Sequence, residues 1–254
     1  MYSEEFEAVA AAAQKKSNLL RNRPWAYLVA SILGGAFIGF GVILSYTSAS
    51  LTAGFGLSRL ASGLTFAGGL SLVYFAGAEL FTGNHFVIGS GVLGGRISIS
   101  EGLKVLAVCM LGNWLGAILL SVLFAATGLT NGALGEYMAA SAQAKMNMPV
   151  VALIARGVLC NILVCLAVWC TFRLKSETAK LIMIFWCLFI FVAAGFEHSV
   201  ANMTLLTTAL LGPSLDGMNL WGYFYNILLS TLGNLLGGIW GVALPYYLIS
   251  REKK

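Results

Sequence analysis

Six apolar stretches govern what this chain can become: 25–47, 59–93, 103–127, 150–172, 180–211 and 221–249. Each is long enough to cross a hydrocarbon core, which takes about 20 residues. Only 10% of the 254 residues are charged and 59% are apolar. A soluble domain carries roughly 25% charged residues, so a soluble chain this apolar could not cover its own surface. The reading is an all-α integral membrane protein that uses the lipid bilayer as its solvent. The second and fifth stretches are too long for one straight span, and each has a polar interruption near its middle.

The segment 1–24 carries acids first and then four basic residues, the reverse of a signal sequence. Phe6, Val9, Ala10 and Ala13 fall near helical spacing there, so an amphipathic helix on the cytoplasmic membrane surface is expected. Lysine and arginine set the orientation. With six spans both termini share one side, which holds Lys15, Lys16, Arg21, Arg23, Arg96, Lys104, Arg173, Lys175, Lys180, Arg251, Lys253 and Lys254. The other side has Arg59, Lys145 and Arg156, the last read as an interfacial anchor. Both termini are therefore expected to face the cytoplasm, in an inner or plasma membrane. The positive net charge is a topology signal and gives no support for nucleic-acid binding. The cysteines Cys109, Cys160, Cys165, Cys170 and Cys187 all lie in apolar spans and are assigned to packing; no Cys/His cluster calls for a metal. No cofactor is expected.

The interruptions are related. "AGAELFTGN" (76–84) aligns with "AGFEHSVAN" (194–202), matching Ala76/Ala194, Gly77/Gly195, Glu79/Glu197 and Asn84/Asn202. Further on, "LGNWLG" (111–116) aligns with "LGNLLG" (232–237) at nearly the same offset. One membrane domain built of two three-span repeats, 25–127 and 150–249, follows. Three is odd, so the second repeat is inverted relative to the first, as in many channels and transporters. Freed backbone in hydrocarbon must be satisfied by protein or cavity water, so the two breaks are expected to face inward and meet near the midplane. The shared Glu79, Glu197, Asn84 and Asn202 are read as scaffold, bonding backbone that the breaks leave unpaired. Where the twins differ, chemistry can specialise. Leu80 then stands opposite His198, and an imidazole beside a membrane break can change charge in the physiological range. The plain alternative is a hydrogen-bonded core histidine.

"AELFTGN", "GVLCNILVCLAVW" (157–169) and "GFEHSVANM" (195–203) resemble the signature segments of the formate/nitrite transporter family, in order and over essentially the whole chain. The resemblance implies a homopentamer of aquaporin-like protomers, each with its own pore for a small monovalent anion such as formate, nitrite or hydrosulfide. His198 resembles the family's central histidine. Thr82 resembles a threonine on the loop that breaks span two, and Asn161 a pore asparagine assisting the histidine. Leu80 and Phe191 match constriction residues, and Phe66 is a third by its spacing before Glu79. Phe191 and His198, seven apart, would share a helix face if the helix held that far. Lys145 matches a lysine near the central site on the non-cytoplasmic side, with Glu197 as its expected ion-pair partner. Lys15 or Lys16 is a weaker candidate for the matching role at the cytoplasmic mouth.

These residues give an expected scheme. Lys145 draws in a weak-acid anion, which gains a proton from water or through His198 and passes Phe66, Leu80 and Phe191 neutral. Thr82 and Asn161 orient the imidazole. Proton and anion are thus the expected partners. The runner-up is an aquaporin-like channel for small neutral solutes, although no Asn-Pro-Ala motif occurs. A membrane enzyme would need catalytic partners around His198 that the spans do not offer.

Overall fold

The computed structural model describes residues 1–212 and 218–251. Lys253 and Lys254 of the topology argument, and 213–217 within the second repeat, lie outside the described residues. Among these residues every regular element is helical: α1 (Ser3–Asn22), α2 (Pro24–Leu51), α3 (Ser58–Leu72), α4 (Phe81–Leu93), α5 (Ile99–Ala126), α6 (Ala133–Met146), α7 (Val150–Arg173), α8 (Glu177–Ala194), α9 (Ser199–Leu211), α10 (Leu220–Gly238) and α11 (Leu244–Ser250). A wide helical turn, Val73–Gly77, extends α3, and another, Ile239–Ala243, joins α10 to α11. Six of the resulting rods are long and apolar enough to cross a membrane. The chain is a multi-pass membrane protein with broken second and fifth spans.

Local signals mark the ends. Pro24 opens α2, where its missing N–H costs nothing. Ser98 and Glu101 form a reciprocal capping box on α5, and Ser176 and Asn219 cap α8 and α10. The repeats then pack alike. α2 lies on α5 where a methyl on Gly35 would come within 2.0 Å of Asn113 O, and α7 lies on α10 where one on Gly233 would come within 2.4 Å of Ile154 O. Close backbone approach through small residues is the usual way membrane helices associate, because lipid tails give no hydrophobic drive between helices.

Two features depart from the sequence reading. The loop between the repeats contains α6, which carries Lys145 in its last turn. The apolar face of α1 is taken up by protein instead of lying on lipid. Val9, Ala10 and Ala13 are fully buried, and a methyl on Gly91 of α4 would come within 2.3 Å of Ala13 Cβ. Ion pairs Glu7–Arg96 and Glu5–Arg173 hold the helix there. Once α4 offers an apolar groove, burial against it satisfies the same stripe that suggested a membrane surface.

Candidate functional site

Each broken span ends its first half on a glycine. Gly77 and Gly195 have φ of 82° and 80°, the left-handed conformation that glycine adopts without a Cβ penalty. A wrapped bond closes each end, from Ala78 N–H to Val73 O and from Phe196 N–H to Phe191 O, both 2.9 Å. The chain then runs extended, and the second halves start at Phe81 and Ser199. Leu80 and His198 stand just before them with nearly identical backbone angles, φ/ψ of −112°/121° and −111°/112°. The matched residues of the twin motifs are thus matched backbone positions.

The extended links need partners. Glu79 N–H donates to Ala30 O at 3.0 Å and Glu197 N–H to Arg156 O at 3.2 Å. Further groups are served by two buried asparagines. Asn113 Oδ1 accepts from Phe81 N–H at 2.8 Å while Nδ2 donates to Ser31 O and Glu79 O. Asn234 Oδ1 accepts from Ser199 N–H at 2.9 Å while Nδ2 donates to Gly157 O and Glu197 O. The scaffold of the breaks is therefore the asparagine of the "LGN" motif in each repeat. This corrects the expectation that Glu79, Glu197, Asn84 and Asn202 bond the freed backbone. An ionised carboxylate can only accept, and the amides of Asn84 and Asn202 are turned to the carboxylates of Glu79 and Glu197. The repeated "LGNWLG"/"LGNLLG" was the available signal.

The glutamates serve charge pairs. Lys145 Nζ lies 2.5 Å from Glu197 Oε1, and Asn202 Nδ2 donates to Oε2. In the other repeat Lys16 Nζ lies 2.6 Å from Glu79 Oε1, and Asn84 Nδ2 donates to Oε2. Of Lys15 and Lys16, the two lysines considered for the matching role, Lys16 makes this pair.

Between the pairs the half-helix starts meet. Thr82 Oγ1 lies 3.0 Å from His198 Nε2. Thr82 sits in the first turn of α4 and not on the loop expected to carry it. His198 Nδ1 accepts the Ala201 N–H at 3.1 Å, so the imidazole is also the N-cap of α9. A backbone N–H can only donate, which leaves the neutral ring's proton on Nε2, aimed at Thr82 Oγ1. Asn161 does not reach this ring. Its amide donates to Thr82 O and Asn234 O and lies 3.0 Å from Nδ1 of the other histidine, His85. It braces the backbone on which Thr82 sits, where the sequence reading had it orienting His198.

Three apolar side chains close over the pair. Phe66 meets Phe191 edge to face with centroids 5.5 Å apart, and Phe191 stacks on His198 at 5.8 Å with the planes 13° apart. The helix does not hold between Phe191 and His198, as their spacing assumed; the turn at Gly195 folds the imidazole back under the phenyl ring. Leu80, Ile38, Leu70, Val164 and Leu188 complete the seal, and the gap inside, about 0 Å³, has no room for water. A cavity of about 280 Å³ opens on one side past Lys145, Glu197 and His198. Another of about 400 Å³ opens on the opposite side past Lys16, Leu80 and Asn84. Two vestibules thus meet a dry plug whose one polar edge is His198 and Thr82. Among the described residues no three His, Cys, Asp or Glu side chains gather as metal ligands, and all five cysteines are free.

The profile of the formate/nitrite transporter family matches residues 3–248. The chain belongs to this family. The nitrite transporter NirC of Salmonella typhimurium is 38% identical over 97% of this chain and 91% of its own length. The formate channel FocA of Haemophilus influenzae is 31% identical over 85% and 84%. Among solved structures, an FNT family ion channel superimposes with a TM-score of 0.92 at 37% identity, covering 97% of this chain and 98% of that one. A pentameric formate channel with formate bound superimposes with a TM-score of 0.79 at 31% identity, covering 89% and 96%. As a formate/nitrite transporter family member the chain is a transporter or channel, not an enzyme.

Proposed function

We propose that this protein moves a small monovalent weak-acid anion across the membrane, nitrite foremost and formate next. The observation that carries the reading is the dry plug of Phe66, Leu80 and Phe191 lying against the Thr82–His198 pair, with a lysine–glutamate pair on each flank. Taking a small ion into such a medium costs on the order of 20 kcal/mol before relaxation. A proton that neutralises the anion removes most of that barrier. Lys145 concentrates the anion in its vestibule. The anion takes up a proton there, the neutral acid crosses the plug, and it ionises again in the vestibule of Lys16. The Nε2–H of His198 is taken up by Thr82 Oγ1, which leaves the threonine hydroxyl proton to face the passing acid and replace a water hydrogen bond. Because Nδ1 caps α9, the imidazole serves as a donor of fixed direction, and the proton that neutralises the substrate comes from the vestibule water.

Nitrite is placed first because the nitrite transporters match at higher identity and over more of the chain than the formate channel does. The solved formate channel is pentameric, which supports a homopentamer of protomers with one pore each. The excess of lysine and arginine on one side supports cytoplasmic termini, which puts Lys16 at the inner mouth and Lys145 at the outer. Proteoliposomes test the function directly. Nitrite and formate flux should exceed that of empty liposomes and rise as pH falls, with water and glycerol no faster than the lipid alone. Rapid glycerol equilibration without anion flux would instead identify a neutral-solute channel.

A further inference from the structure

The inverted repeat makes the two breaks near copies, yet the vestibules beside them differ in charge. Glu197 N–H bonds the carbonyl of Arg156, whereas the matching bond from Glu79 goes to Ala30. The position that is alanine behind the first break is therefore arginine behind the second. The Arg156 Nη1 reaches Gly195 O at 3.5 Å. Arg59, in the first turn of α3, lies on the same glycine: a methyl built there would come within 3.9 Å of its Cζ. The corresponding Gly77 has nothing within 4 Å. Two guanidiniums thus bracket the glycine that ends α8.

Both arginines line the vestibule that leads to Lys145, Glu197 and His198. Both are exposed, and among the described residues neither is in an ion pair. Among the described residues, three cations line that vestibule against the single carboxylate of Glu197. Lys16 is the one described cation lining the opposite vestibule, and it is already matched by Glu79. Uncompensated charge in a cleft with low-dielectric walls raises the local concentration of counter-ions. Exposed guanidiniums bind an ion only weakly, so their effect falls on capture and not on tight retention.

We propose that Arg59 and Arg156 form a capture station for small monovalent anions, above the Lys145 pair, which makes the two faces of the transporter unequal. An anion arriving on the Lys145 face is collected at low concentration. One arriving on the Lys16 face meets no such station, so apparent affinity is higher from the Lys145 side. The proposal rests on the anion-transport function argued above and adds residues and a direction to it.

The test is nitrite flux measured from each face of oriented proteoliposomes, at low and at high ionic strength. In wild type the apparent KM should be lower from the Lys145 face. The double variant R59Q/R156Q should raise that KM by roughly 3- to 10-fold at low ionic strength, the scale of modest electrostatic focusing. The Lys16-face KM should not move, and the difference should shrink in high salt. R59K/R156K keeps both charges and should restore the low KM. Equal KM values at the two faces in wild type would overturn the proposal. So would an R59Q/R156Q KM that does not rise, a rise equal on both faces, or one that lysine fails to reverse. Wild type showing no anion flux at all would overturn the proposed function itself, a distinguishable result.

Discussion

Thr82 Oγ1 and His198 Nε2 are 3.0 Å apart although 116 residues separate them, and the contact has a direction. The opposite ring nitrogen accepts a helix N–H, so the imidazole gives its one proton towards the threonine. Thr82 lies in the first turn of α4 and His198 caps α9, so the contact also joins the two repeats at their point of approach.

The cap that His198 forms on α9 and the pore role proposed for it can be separated by substitution. Asparagine is a strong N-cap without an imidazole. His198→Asn should keep a melting temperature near wild type, whereas His198→Phe should lose about 1 kcal/mol of helix stability. Both should lower nitrite flux, and the Asn variant alone should do so without a thermal cost. Melting in detergent, set beside liposome flux, checks this.

Asn113 and Asn234 each satisfy three backbone groups out of reach of water. Replacing either by alanine should cost roughly 2–5 kcal/mol, from buried groups left unpaired. Asn113→Asp is close to isosteric but loses the amide donor to Ser31 O and Glu79 O, so it should be no better than alanine. Denaturation of the detergent-solubilised protein reads the ranking.

Glu197 is 3% exposed as a side chain and is held by Lys145. Lys145→Gln strands a buried carboxylate and should destabilise by about 3–5 kcal/mol. Lys145→Gln with Glu197→Gln removes both charges and should recover much of that loss. The double variant should nevertheless retain low nitrite flux, since it lacks the cation proposed to attract the anion. Recovery of flux together with stability would limit the pair to a structural role.

Gly77 has φ of 82° and open space where a Cβ would lie. Gly77→Ala therefore tests backbone conformation with little steric confusion. It should lower stability by about 1–2 kcal/mol, the cost of a left-handed non-glycine residue, measurable as a fall in melting temperature.

Much of this architecture was legible as text. The apolar runs gave the spans, and the twin motifs gave the repeats and the location of the breaks, because hydrocarbon tolerates unpaired backbone only where protein or water can serve it. Gly77 and Gly195 could be matched because a left-handed turn selects glycine in each copy. The asparagines at 113 and 234 were visible as a repeated motif, but their task was not. A side chain that bonds backbone 32 to 82 residues away leaves no local pattern. The helix α6 was hidden for a related reason. It is too short and too mixed in polarity to read as a span, yet it presents Lys145 to Glu197.

The sequence by itself determined that this chain lies in a membrane, crosses it six times, and repeats its middle spans upside down, since these follow from apolar length, parity and self-similarity. Only the tertiary structure decided which partners those residues take. It paired Lys16 with Glu79, turned Asn161 towards His85, folded His198 beneath Phe191, and set Arg59 and Arg156 on one glycine. Hydrogen-bond and charge partners depend on helices distant in sequence meeting at a few ångströms, and that distance is settled by packing.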